Sequence, residues 1–456
     1  MHKYTKITAS VGPKSENRTV LTKMVRAGVN LFRINFSHDT GDVQGKKIDT
    51  IRAVSHELKT PVAVIVDLQG PKHRIGNFAT EDKYKLTVGQ KFTFDSDETP
   101  GDSSRVYLPH PDVMASLRIG DRILLNDGKI EMRVDKVEPT KIITTVIRGS
   151  EIWSRRGFNL PDTFVDTNVL TDKDKSDLEY AITKNPDFVA VSFVQSADDI
   201  AYVRDFITAR TAHKIKIIAK IERPHAVHDI ENIVSASDGI MIARGDLAVE
   251  MPFEQVPAIS RHIIRVCRQM NKPVIVATQM LASLVDGEFP TRAEISDVAN
   301  AAYLRADSTM TSEETTIGIN PVHTIETMSR ILSYADADGI ANPHDWLRID
   351  NLPENNWSRS VASMAHLNNA SAIIVFDKDG FATTEISCRR PDMPIVAVCN
   401  DETVANHLCL SRGVFPIYDT EIFGTRDAKS AAKTIGIRIG AVVIVDDGTI
   451  SLRDLD

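Results

Sequence analysis

Eight short apolar runs recur between residues 5 and 314, and most are separated by segments whose apolar residues fall at helical spacing. The runs are TKITASVG (5–12), VNLFRINFSH (29–38), PVAVIVDLQG (61–70), DFVAVSFVQ (187–195), IKIIAKIE (215–222), DGIMIARGD (238–246), KPVIVATQM (272–280) and ADSTMTSEE (306–314). Segments such as ENRTVLTKMVRAG and ADDIAYVRDFITART carry the helical pattern and end on Gly or a polar loop. Strand and helix in alternation imply a parallel sheet, and eight such units imply a closed (β/α)8 TIM barrel.

The third unit is interrupted. From about Pro71 to Phe158 the pattern turns to short β-like runs (KFTFDS, RILLND, KIEMRVD, KIITTVI) with Gly and Asp turns and no convincing helix. This reads as a small β-barrel domain inserted after the third strand. After about Ser333 a new series, SAIIVF, PIVAVC and AVVIVD with helical segments between, predicts a C-terminal open-sheet α/β domain. The expected units are residues 1–70 with 159–333, residues 71–158, and residues 334–456, matching the prior of about three domains for 456 residues.

A net charge of −8, with no basic stripe, argues against nonspecific nucleic-acid binding, which needs clustered Lys and Arg. Cys267, Cys388, Cys399 and Cys409 make no C-x-x-C pair and fit neither a zinc site nor a disulfide framework. With no apolar signal core at the N-terminus and no run of membrane-spanning length, the chain reads as cytoplasmic.

In a parallel barrel all C-terminal strand ends open on the face where barrel enzymes keep their sites. Lys220 and Glu222 lie two apart at the end of IIAKIE and project from one face. Either they pair with each other or they share a third party. Glu222 and Asp246, at the ends of adjacent strands, are either capping or salt-bridging acids or a pair of hard oxygen ligands. Mg²⁺ takes one or two carboxylates and fills its octahedron with water or phosphate. Arg33 and Arg74, after the second and third strands, suit a phosphate, although each alone is also compatible with a surface ion pair. Their convergence implies a Mg²⁺-dependent site for a small phosphorylated anion, with neither a P-loop nor a Rossmann turn present.

The strings TKITASVGPKS, RINFSH, GPKHRIG, GFNLP, VSFV, IIAKIE, SDGIMIARGDLAVEMP, KPVIVATQML and PTRAEISDVANA resemble the pyruvate kinase family over most of the chain. The resemblance implies phosphoryl transfer from phosphoenolpyruvate to ADP, giving ATP and pyruvate. It makes Glu222 and Asp246 the Mg²⁺ (or Mn²⁺) ligands and Lys220 the cation that stabilises the transferring phosphoryl group and enolate. Arg33 corresponds to the substrate-phosphate arginine, and Thr278 to the threonine beside the carbon that is protonated. Backbone N–H groups at Gly245 and Asp246 would receive the substrate carboxylate. Asn35, His38, Arg74 and Arg156 match nucleotide-side positions, Arg156 standing where a lysine is usual. By the same resemblance the expected assembly is a homotetramer, with no nucleic-acid or membrane partner.

Several departures refine these expectations. DLQGPKHR replaces the usual DTKGPEIR, so the potassium site keeps Asn35, Ser37 and Asp67 but has Leu68 for threonine and Lys72 for glutamate. A tethered Lys72 ammonium in place of K⁺ predicts K⁺-independent activity. TSEET replaces LSGET, setting Glu313 at a glycine position, where it either impairs the site by repulsion or turns outward. In the C-terminal domain FDKDGFATTE replaces a Ser/Thr/Gly-rich phosphate loop, and Asp377 and Asp379 would repel a sugar phosphate, so no activation by fructose 1,6-bisphosphate is expected. The competing readings are a catalytically weak paralogue acting as a metabolite-binding regulatory protein and a metal-dependent barrel lyase; the inserted domain argues against the lyase.

Overall fold

A computed structural model describes residues 3–80, 82–165, 167–341, 356–437 and 440–455. Its centre is a closed parallel barrel of eight strands: β1 (Lys6–Ser10), β2 (Leu31–Asn35), β3 (Ala63–Asp67), β4 (Phe188–Val191), β5 (Lys216–Ile221), β6 (Gly239–Ala243), β7 (Val274–Ala277) and β8 (Ser308–Thr311). Neighbours in sequence are neighbours in space, and β8 closes on β1 with Thr311 opposite Ala9. The strands are buried on both faces, which is why they read as continuous rather than alternating apolar runs. Leu31, Ile65, Phe188, Ile218, Met241 and Met310 fill the interior, while the outer faces pack under the helices. The helices start and stop where local chemistry dictates. Thr291 and Glu294 form a reciprocal capping box before Arg292–Tyr303, and Gly28, at φ 116°, ends Arg18–Ala27.

The insert follows β3 as expected, though strand pairing does not close it into a barrel among the described residues. A six-stranded sheet runs from the edge strand Phe158–Asn159 to the edge strand Arg105–Tyr107, beside a two-stranded sheet of Tyr84–Lys85 and Glu151–Ile152. One short helix, Pro111–Ser116, interrupts it, and Val113 and Met114 turn into a core that also holds Phe92 and Phe94.

The helix Pro321–Ala341 runs unbroken through residues 333 and 334, where the sequence pattern divides barrel from C-terminal unit. Its Leu332 and Ala335 are in the barrel core, and Asp336 accepts the backbone N–H groups of Tyr4 and Thr5 at 2.8 Å. The C-terminal sheet has five strands rather than the three visible as apolar runs. Val414–Tyr418 adds an outer parallel strand, and Thr449–Asp454 folds back antiparallel on Ala441–Asp446. Asp447 and Gly448, both at positive φ, make the two-residue turn between them. Cys409 and Leu410 of this domain join the barrel-interior cluster from the N-terminal side, away from the strand ends that carry the polar motifs.

Candidate active site

At the C-terminal end of the barrel, side chains from five strands converge on Lys220. Its ammonium lies 3.0 Å from Glu222 Oε1 and 3.2 Å from Asp67 Oδ1, and donates to Ser192 Oγ at 2.7 Å. Ser192 Oγ donates a hydrogen bond to Leu68 O at 2.7 Å, so the hydroxyl presents a lone pair to the lysine. Arg33 adds a second cation: Nε donates to Asp67 Oδ2 at 2.6 Å and Nη1 to Ser10 Oγ at 3.0 Å. Asp67, expected as part of a potassium-site remnant, thus lies between the two expected catalytic cations, at the C-terminal end of β3.

These charges set one another's protonation. Burial pushes the Asp67 carboxyl up, but Lys220 and Arg33 outweigh it and hold the group below its usual range. Burial alone would lower the Lys220 pKa; Asp67 and Glu222 reverse the sign, so the ammonium stays charged. Glu222 is 1 % exposed, and burial, with Asp246 adding to it and Lys220 opposing, shifts its carboxyl upward. Glu222 Oε2 accepts the Phe193 N–H at 2.7 Å, which fixes the carboxylate on β5 from the end of β4. Phe193 sits at φ 57°, an uncommon conformation for a bulky side chain and one held only by its surroundings.

Asp246 lies in the first turn of the short helix Arg244–Glu250 that follows β6. The Lys72 ammonium is 3.5 Å from Asp246 Oδ1, so this lysine pairs with the expected metal ligand rather than with Asp67. Thr278, at φ 70° just after β7, receives the Gly245 N–H on Oγ1 at 2.8 Å and donates to Ala277 O at 2.7 Å. Arg244 holds this corner: Nη2 donates to Thr278 O at 2.8 Å and Nη1 to Asp297 Oδ1 at 2.8 Å. Sequence reasoning missed both Ser192 and Arg244. Each stands in a quoted motif (VSFV, ARGD), but its task is defined by a neighbouring strand.

The four expected nucleotide-side residues divide between two bodies. Asn35 and His38 stand at the end of β2, where Gln44 Nε2 ties Asn35 O at 2.9 Å and His38 O at 2.7 Å. Asn35 Oδ1 accepts the Ser37 N–H at 3.1 Å. Arg74 and Arg156 stand at the root of the insert, with Arg74 bridged to Gly157 and Arg156 over the Trp153 ring at 4.7 Å.

Family models for the pyruvate kinase barrel domain and alpha/beta domain match residues 2–325 and 355–451. The chain is 39 % identical over 456 residues to a pyruvate kinase of Methylorubrum extorquens, covering 97 % of this chain and 94 % of that one. It is 36 % identical to a pyruvate kinase of Thermococcus litoralis, covering 99 % and 94 %. A crystal structure of a pyruvate kinase from Cryptosporidium parvum superposes with a TM-score of 0.93 at 29 % identity, covering 100 % of this chain and 96 % of that one.

The chain belongs to the pyruvate kinase family. It is a phosphotransferase, built on the family's barrel and C-terminal sheet.

The departures from the family pattern have distinct structural outcomes. Glu313 is exposed and opens the short helix Glu313–Thr316, a backbone state that needs no glycine. Its neighbour Glu314 is buried and accepts the Leu281 and Ser312 N–H groups at 3.2 and 2.6 Å. In the C-terminal loop Asp377 is buried and accepts N–H groups of Gly380 at 2.9 Å and Thr383 at 2.8 Å. The four cysteines are free and buried, and no helix among the described residues is long and apolar enough to cross a membrane.

Proposed function

We propose that this site transfers the phosphoryl group of phosphoenolpyruvate to ADP, giving ATP and pyruvate, with Mg²⁺ as cofactor and without need of K⁺. The observation that carries the reading is the placing of Lys220 among Asp67, Glu222 and Ser192, next to Arg33 and the Asp246 turn. Phosphoryl transfer asks a protein chiefly for positioning and charge neutralisation. Two fixed cations beside two acidic groups supply both.

The donor set fits Mg²⁺. Among the described residues no cluster of three or more ligand-type side chains forms a closed cage, and two carboxylates left open to substrate oxygens are what this ion uses. Glu222 and Asp246 would hold the ion, which when bound draws charge from phosphoryl and enolate oxygens. Mn²⁺ suits the same oxygens.

Arg33 and Lys220 bind the substrate phosphate, and Lys220 stays on the oxygens that gain charge as the enolate forms. The substrate carboxylate takes the N–H groups of Gly245 and Asp246, where Gly245 N–H now meets Thr278 Oγ1. The Thr278 hydroxyl then lies beside the enolate carbon and relays to it a proton taken up from water, so that the hydroxyl is regenerated. ADP lies between the Asn35–His38 loop and the insert, whose Arg74 and Arg156 reach its phosphates when the insert closes. K⁺ independence is supported by Leu68 in the cation-ligand string and by the ammonium that Lys72 brings to the same face of the barrel, where it lies 3.5 Å from Asp246 rather than on Asp67. The outward Glu313 offers nothing to the weak-paralogue reading. Family resemblance further supports a cytoplasmic homotetramer, which sedimentation at several concentrations tests.

The functional test is pyruvate release from phosphoenolpyruvate and ADP with Mg²⁺, comparing K⁺ with tetramethylammonium as the sole monovalent cation. Turnover in both is expected. Turnover confined to K⁺ removes the role given to Lys72, and no turnover in either removes the proposed reaction.

A further inference from the structure

The helix Arg244–Glu250 carries Asp246 in its first turn and ends on Glu250, and residues four apart stand on one helix face. Its first turn is held from the barrel, where Thr278 Oγ1 accepts the Gly245 N–H and Arg244 reaches Thr278 O. Its other end is held by the insert. Glu250 is 6 % exposed, and its Oε1 accepts Asn159 Nδ2 at 3.0 Å. Burial pushes the Glu250 carboxyl up, while Arg223 and the Asn159 bond oppose the shift.

Asn159 belongs to the insert by pairing. Its edge strand Phe158–Asn159 lies antiparallel to Arg122–Leu125, with Asn159 opposite Leu124. The hairpin that Arg122–Leu125 opens turns on Asn126, Asp127 and Gly128, all at positive φ, and a β-carbon at Gly128 would stand 3.8 Å from Val249 Cγ1. The two chains that join insert to barrel are tied to each other, Phe158 N–H to His73 O at 3.0 Å and Ile75 N–H to Arg156 O at 3.1 Å. The insert and its root thus form one piece, which meets the helix at Lys72–Asp246, Asn159–Glu250 and Gly128–Val249. Polar contact at the Glu250 end is thin. Arg223 Nε and His73 Nε2 are buried beside the same cavity of about 10 Å³, and among the described residues neither atom has a hydrogen-bond partner.

We infer that Asn159 and Glu250 are positioning residues: their hydrogen bond ties the insert to the helix that carries Asp246, so that closing the insert over the nucleotide and setting Asp246 are one motion. A hydrogen bond to a charged acceptor is strong enough to change nucleotide binding by about tenfold or more. When the bond is cut the first turn keeps its barrel contacts, so the phosphoenolpyruvate side is spared and the nucleotide side is not. The kinetic half of this inference rests on the reaction proposed above.

The test compares the full chain with Asn159→Ala, Glu250→Ala, their double variant and Glu250→Gln. In pyruvate release, each folded alanine variant is expected to raise the KM for ADP about tenfold or more and to leave the KM for phosphoenolpyruvate within about twofold. The double variant is expected to lose no more than the worse single, because both cut one bond. Glu250→Gln keeps an acceptor for Asn159 and is expected to hold the KM for ADP within about threefold of the parent. An unchanged KM for ADP in the alanine variants overturns the inference, as do a loss in kcat alone, equal rises in both KM values, losses that add, or a glutamine variant as impaired as the alanine one. Amide hydrogen exchange without ligands is the second readout. Asn159→Ala is expected to speed exchange about tenfold in residues 122–130 and 245–251 together. A parent that releases no pyruvate removes the proposed reaction, and the exchange arm then decides the tie: joint acceleration upholds it, and unchanged exchange in residues 245–251 overturns it.

Discussion

Lys220 keeps its charge because two buried carboxylates surround it, and it keeps its direction because Ser192 Oγ accepts from it at 2.7 Å. Removing that hydroxyl leaves the charge and loosens the aim. Ser192→Ala is therefore expected to lower kcat about tenfold, equivalent to ~1.4 kcal/mol, with a smaller change in KM for phosphoenolpyruvate. Steady-state kinetics at saturating Mg²⁺ check this, and an equal loss through KM alone would contradict it. Lys220, Glu222, Asp246 and Arg33 stood out as candidates because each lies at the polar end of an apolar run that a barrel must present on one face, whereas Thr278 was named only through the family resemblance. Ser192 and Arg244 did not stand out, since a hydroxyl in VSFV or a guanidinium in ARGD gains its meaning from the adjacent strand. The pairing of Lys72 with Asp246 was hidden for the same reason: the residues lie 174 positions apart in the chain.

Among the elements, the loop before Phe381–Cys388 shows how one residue changes what a helix start can bind. Asp377 places its own carboxylate on N–H groups that could otherwise face an anion. Fructose 1,6-bisphosphate is expected to leave the phosphoenolpyruvate saturation curve unmoved, and Asp377→Ala to cost about 1–2 kcal/mol in denaturant unfolding through the lost cap. A shifted half-saturation with the bisphosphate would contradict the first. The hinge of the insert carries a second test. Burial, aided by His110 and Arg223, holds the His73 imidazole down at about 4. An unfolded histidine titrates near 6.5, so between about 6.5 and about 4 the unfolded chain takes up a proton that the folded chain refuses. Stability falls as pH falls through that window, and above it this contribution is constant. Melting temperatures from pH 7 to 4.5 should drop less steeply in His73→Phe than in the parent chain. The insert's strands were legible from their apolar runs and turns, whereas its open edges depend on pairings that no local pattern encodes.

Across the whole molecule, the C-terminal domain closes the barrel floor, and buried charge fixes it there. Asp307, at the start of β8, accepts both terminal nitrogens of Arg390 at 3.0 and 2.7 Å and the Arg412 N–H at 3.0 Å. Arg412 in turn meets Asp336 at 2.6 Å. Removing one partner strands a buried charge, so Asp307→Ala is expected to cost about 3–5 kcal/mol and to lower the melting temperature of the whole chain. Calorimetry checks it, and an unchanged transition would show that the domains are held chiefly by apolar contact. The barrel, the insert and a C-terminal α/β sheet were each foreseeable from periodicity; the helix Pro321–Ala341 crossing the expected border was not, because its apolar stripe serves the barrel core beyond residue 333. All of this architecture serves a cation held over two acids at the open end of the barrel. The most direct test of that claim is pyruvate formation from phosphoenolpyruvate and ADP with Mg²⁺, comparing the parent chain with Lys220→Met of matched circular dichroism. The account predicts turnover in the parent and a loss of about 10²–10³-fold in the variant; a parent that releases no pyruvate, or a variant as fast as the parent, would contradict it.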